Sequence, residues 1–167
     1  MSDLAWLHAP RAIPEDVLDL CRQAAKIRLE YHQDKPHYRG WNVEGYTYGC
    51  LGEALISELS GIPWDVSFNG GDQGFDFPET DAKANPVEVV TDEGWLRRLA
   101  DSRKWQNYYA LVVVQRDFGA YRYAGWATGT MLAKAKTRDF GYGPTCVMNE
   151  RQLVPGLPPP LVSKGKP

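Results

Sequence analysis

Between Asp72 and Glu93 the chain carries seven acids, Asp72, Asp76, Glu79, Asp81, Glu88, Asp92 and Glu93, against a single base, Lys83. Basic groups follow in two wings: Arg97, Arg98, Arg103 and Lys104, then Lys134, Lys136 and Arg138. Carboxylate oxygens are hard ligands for Mg²⁺ or Mn²⁺, and flanking cations neutralise phosphates, so this charge order suits metal-dependent attack on a phosphodiester. A solvated acidic loop beside two ordinary basic faces would give the same order. The most informative stretch is Gly70-Gly71-Asp72-Gln73-Gly74-Phe75-Asp76-Phe77, followed by Val87-Glu88-Val89-Val90. It puts Asp76 and Glu88 on consecutive short strands. If these pair as a hairpin, both carboxylates can point to one place. Two buried carboxylates repel; a shared Mg²⁺ removes that conflict and can activate water. The alternative is a pair of acids on the outer face of an ordinary hairpin.

Other chemistry-bearing residues are weaker candidates. His8, His32 and His37 are dispersed, and none is near the acidic stretch. The loop from His32 to Trp41 mixes Lys35, Arg39, Tyr38 and Trp41. Such a loop either grips nucleic acid by stacking and phosphate contacts or caps the core with its rings. Tyr121, Tyr123 and Trp126 fit core and sheet packing better than a base-stacking platform. There is no GxxxxGK loop and no Gly-x-Ser-x-Gly. Cys21, Cys50 and Cys146 are an odd, scattered set without CxxC, which fits a reduced cytoplasmic protein better than disulfides or zinc.

The elements that must position these residues follow from periodicity. At 167 residues, 43% hydrophobic and 24% charged, with formal net charge −2, the chain reads as one globular domain. No apolar run approaches the roughly 18 residues of a membrane span, and no basic-then-apolar leader is expected. Helical spacing predicts helices over 14–31 and 47–60, the second stopped by Gly61. Alternation predicts strands over 64–68, 74–77 and 86–91, with a turn over 79–85. A helix is expected over 93–103, capped by Asp92. The apolar run 108–114 predicts a central strand buried on both faces, followed by a strand over 118–126 and a helix over 128–136. The domain is expected over 1–154, with 155–167 as an extended Pro-rich tail that frays. The order αα-βββ-α-ββ-α is an α/β sandwich around a mixed sheet.

The helix carrying Gly52-Glu53, the G-D-x-G-x-D strand, the E-V-x strand, and then a helix and a long apolar strand resemble the PD-(D/E)XK nuclease superfamily, in particular small members found in phages. The resemblance covers roughly residues 47 to 126. It implies a restriction-endonuclease-like fold, with a central mixed sheet of four to five strands flanked by helices, and Mg²⁺- or Mn²⁺-dependent hydrolysis of DNA in the cytoplasm (the host's, for a phage gene). It implies Asp76 as first metal ligand, Glu88 as second, and Glu53 as auxiliary ligand. The family pattern calls for lysine two residues after the second acid, where this chain has Val90. By analogy with a lost oxyanion donor, that group is worth about 2.7–4 kcal/mol. Either Lys83 or Lys104 replaces it, or the metal alone carries the catalysis. Two expectations therefore stand side by side. One is a DNA nuclease with a relocated lysine, a homodimer being compatible with it. The other is a catalytically inactive nuclease-fold protein that binds or inhibits a protein partner, such as a phage factor directed at a host defence complex.

Overall fold

A computed structural model describes residues 4–33, 40, 42–64, 76–100 and 106–162. The expected strand over 64–68, all but its first residue, most of the loop from His32 to Trp41, Asp72, Arg103 and Lys104 lie outside the described residues. Two long helices, α2 (Glu15–His32) and α3 (Val43–Ser60), pack on each other and cover one face of a four-stranded sheet. A short N-terminal helix, α1 (Ala5–His8), buries Leu7 beside it. The sheet runs β1 (Arg11–Ala12), β5 (Ala120–Thr128), β4 (Tyr108–Gln115), β2 (Thr80–Val87). It is mixed: β2 lies parallel to β4, while the other pairs are antiparallel. On its other face lie α4 (Gly129–Ala133) and a three-stranded antiparallel sheet, ordered β3 (Trp95–Leu99), β7 (Pro144–Asn149), β6 (Lys136–Asp139). The protein is thus a mixed α/β fold with a small second sheet as its third layer.

β4 is the central strand that its apolar run predicts. Ala110, Val112 and Val114 face the helices, Tyr109, Leu111 and Val113 face the second sheet, and none is exposed. α3 begins earlier than expected because Asn42 caps it, accepting a hydrogen bond from the Gly45 N–H (2.8 Å). It ends at Gly61, whose φ of 71° is the left-handed conformation such a stop requires. α3 is buried almost all round, between α2 and the sheet. Small residues permit that: a Cβ at Gly52 would meet the Ala84 Cβ at 3.5 Å.

Several expectations change: the strand expected over 86–91 stops at Val87, and the helix expected over 128–136 stops at Ala133. The segment 80–85 is strand rather than turn, with only Glu79 left in a turn, because β4 offers it a full parallel ladder from Thr80↔Tyr108 to Val87↔Gln115. Pro86 is tolerated because β2 is an edge strand of the described sheet. The expected helix 93–103 is β3, paired with β7 from Trp95↔Asn149 to Leu99↔Thr145. The tail does not fray before residue 162: α5 (Pro159–Val162) buries Leu161 in the helix-side core, and the Gly156 carbonyl accepts from the Tyr123 hydroxyl (2.8 Å).

Arg122 fastens the connection into β3. Its guanidinium donates to the Val90 carbonyl (2.6 Å), the Asp92 carbonyl (2.8 Å) and both carboxylate oxygens of Glu150 (2.6 and 2.7 Å). Burial raises the Glu150 carboxyl, but the bonds from Arg122 and the Gly94 N–H outweigh it and hold the group below the usual glutamate range. Replacing Arg122 by methionine should lower stability by about 3 kcal/mol, read as a thermal midpoint roughly 10 °C lower. That deficit should shrink as pH falls below about 4.5, where the unfolded chain begins to protonate Glu150 first.

Candidate functional site

The site is assembled at the start of β2. Phe77 and Thr80 exchange backbone hydrogen bonds (3.0 Å each) around the turn at Pro78-Glu79, which brings Asp76 back alongside β2. There an Asp76 carboxylate oxygen accepts from the Ala82 N–H at 2.8 Å. Along a strand, alternate side chains share a face. Ala82 and Ala84 face the helices, so Asp81 and Lys83 share the opposite face. Asp81 is buried (4% exposed) and meets the Arg98 guanidinium of β3 at 3.4 Å; that guanidinium also lies 5.0 Å from the Tyr109 ring centroid.

Glu53 approaches from the helix layer. It is 7% exposed and takes a bidentate pair from Arg28 of α2, at 2.8 and 2.9 Å. α3 therefore presents no solvent face at Glu53. Its carboxylate is held first by a guanidinium, and fork-to-fork pairing fixes its orientation.

The electrostatics tie these groups together. The Asp76 carboxyl is pushed up to about 7, first by burial and then by the Glu53 carboxylate, with Asp81 adding to the rise. Lys83 and the Ala82 N–H oppose it. A half-buried carboxyl among two further acids and one lysine is the like-charge conflict that a divalent cation relieves. Among the described residues, no three His, Cys, Asp or Glu side chains already form a metal-holding group. Mg²⁺ asks for less, since one or two protein carboxylates with water and substrate phosphates suffice. Asp76 and Asp81 are oxygen donors of that kind.

Glu88 does not join them. It lies just past the far end of β2, about 20 Å along the strand from Ala82, is 80% exposed, and pairs with Arg116 at 2.8 Å. It is therefore corrected from second ligand to surface residue. Val90 does not occupy a lysine position either. It is buried, its N–H donates to the Gln115 side chain (3.1 Å), and its carbonyl accepts from Arg122. Lys83, read from sequence as a turn residue, stands on β2 within reach of Asp76. The residue that sequence reasoning missed is Asp81, and its signal was present: Asp81-Ala82-Lys83 is an acid with lysine two residues on. Cys50 is buried and free, and burial pushes its thiol up to about 12, which makes it a poor nucleophile.

No family model, curated protein or solved structure matches this chain. No helix among the described residues is long and apolar enough to cross a membrane.

Proposed function

We propose that the protein is a divalent-metal-dependent DNA nuclease of the PD-(D/E)XK type, built on a restriction-endonuclease-like fold. Its site is Asp76, Asp81 and Lys83, with Glu53 behind them. One observation carries this reading. Asp81 and Lys83 share a face of β2 two residues apart, while the carboxylate of Asp76 is bonded to the backbone N–H between them. That is the acid, acid-x-lysine order whose lysine seemed absent when Glu88 was taken as the second acid.

Asp76 and Asp81 would hold Mg²⁺ or Mn²⁺, which, when bound, activates water and stabilises charge on the scissile phosphate. Lys83 orients the attacking water and offsets negative charge developing on the phosphate. Arg98 holds Asp81 in place, and Arg28 fixes Glu53 so that its charge bears on Asp76. The free, buried cysteines suit a reducing compartment, the cytoplasm being the proposed location.

The test is cleavage of supercoiled plasmid and of single-stranded DNA with Mg²⁺ or Mn²⁺, wild type beside Asp81→Asn. Cutting that the substitution abolishes supports the reading. A folded wild type that cuts neither substrate with either metal sinks it and leaves a non-catalytic binding protein on this fold.

A further inference from the structure

Arg97 from the first basic wing and Lys136 and Arg138 from the second, some 40 residues apart in sequence, meet on one surface. In the second sheet β7 is central, with β3 and β6 on its flanks. Across it, Arg97 stands opposite Val147, which stands opposite Lys136; in the next row on the same face, Leu99 stands opposite Thr145 and Thr145 opposite Arg138. Leu96, Cys146 and Met148 point inward to the core, so Arg97, Lys136 and Arg138 share the outer face. All three are exposed. Strand geometry sets Lys136 and Arg138 about 7 Å apart, and Arg97 about 10 Å from Lys136 across the strands.

No acid lies in the outward rows of these strands. The one acid within these three strands, Asp139, belongs to the inward row, and its carboxylate accepts from the Gly141 and Gly143 N–H groups. Rings continue the face. The Arg97 guanidinium sits 4.5 Å from the Phe140 ring centroid, with Arg138 6.0 Å away on the same ring. Phe140 stacks on Tyr142 with 6.2 Å between centroids and 20° between planes. Tyr142 ends the stack and is 62% exposed.

We propose that this outer face of the β3–β7–β6 sheet binds a single nucleic-acid strand, with phosphates on Arg97, Lys136 and Arg138 and a base stacked on Tyr142. Cations beside an exposed ring are the pair of features single-strand binding requires. An acidic protein segment would use the cations but gain nothing specific from an open ring stack. β3 turns Arg97 to this face and Arg98 inward onto Asp81, so β3 itself stands between the bound strand and the nuclease site. The inference rests on the nuclease reading only for the purpose of binding.

Binding of fluorescent oligothymidylate to the full chain, in EDTA and over a range of salt concentrations, separates the two. Arg97→Ala combined with Arg138→Ala should weaken binding at least tenfold and reduce the log–log salt slope by about 1.4, two contacts at about 0.7 each. Tyr142→Ala should weaken single-strand binding about tenfold with the slope unchanged, and leave duplex binding unaffected. Unchanged melting curves for these surface variants establish that they fold. Variants that bind like wild type overturn the inference, even if the protein cuts DNA. Loss of binding to duplex and single strand alike in Tyr142→Ala also overturns it. Wild-type binding that needs this face, in a protein that never cuts, removes the nuclease reading and leaves the binding face standing.

Discussion

Lys83→Ala should slow Mg²⁺- or Mn²⁺-dependent DNA cleavage by about 10²–10³-fold, the cost of removing one preorganised donor from a developing oxyanion. The thermal midpoint should stay within about 2 °C of wild type, because Lys83 lies half-buried on an edge strand and fills no core position. Glu88→Ala is the matching control and should leave both cleavage and melting unchanged, since its pair with Arg116 is solvent-exposed. Plasmid-nicking rates for the two variants decide the issue. Full activity in Lys83→Ala with loss in Glu88→Ala would return the site to the far end of β2.

Asp76→Asn should abolish cleavage and yet make the metal-free protein more stable. The folded-state carboxyl titrates near 7, above the ordinary 3.8 of the unfolded chain. The unfolded chain therefore loses its proton first as pH rises. Wild-type stability should fall from about pH 4 to about pH 7 and then level off. Asparagine keeps an oxygen for the Ala82 N–H and carries no charge, so Asp76→Asn should lack this fall. At pH 8 in EDTA its advantage should be on the order of 2 kcal/mol, a midpoint roughly 5 °C higher. Melting curves at pH 4.5 and pH 8 check it. A variant less stable than wild type at pH 8 would show that Asp76 is a structural acid, better charged than neutral. Active sites commonly trade stability for function in this way.

Part of the site was legible from residue types alone. The concentration of acids around Asp76, the single Lys83 among them, and the helix bearing Glu53 are all visible in the chain, and the structure draws Asp76, Glu53 and Lys83 into one electrostatic group. The proposed second acid, Asp81, stands seven residues before Glu88, the acid that the sequence favours. Val87-Glu88-Val89-Val90 has the β-branched look of a strand, whereas Thr80-Asp81-Ala82-Lys83-Ala84-Asn85-Pro86 does not. The pairing decided otherwise. β4 supplies eight parallel partners to the weak sequence, while Val89 to Asp92 closes a turn, with the Asp92 N–H on the Val89 carbonyl (2.8 Å) and its carboxylate on the Val89 N–H (3.0 Å).

β3 shows the same division. Trp95, Leu96 and Leu99 fit one side of a helix, and Arg98 reads from sequence as solvent-facing. In the structure Arg98 points inward because Asp81 and Tyr109 receive its charge, and with Arg98 counted inward the period becomes two. A buried ion pair is invisible to hydropathy, since each partner alone scores as surface.

By itself, then, the sequence determined what local periodicity and chain stiffness control. These are the two long helices, the Gly61 stop, the doubly buried strand over 108–114, and the run of acids around Asp76. Only the tertiary structure decided which acid stands beside Lys83 and that Arg97 meets Lys136 and Arg138 on one face. Those answers depend on strand register, and register is set by partners distant in the chain: β4 for β2, and β7 for both β3 and β6. A shift of one residue in either would turn Asp81 or Arg97 to the opposite face.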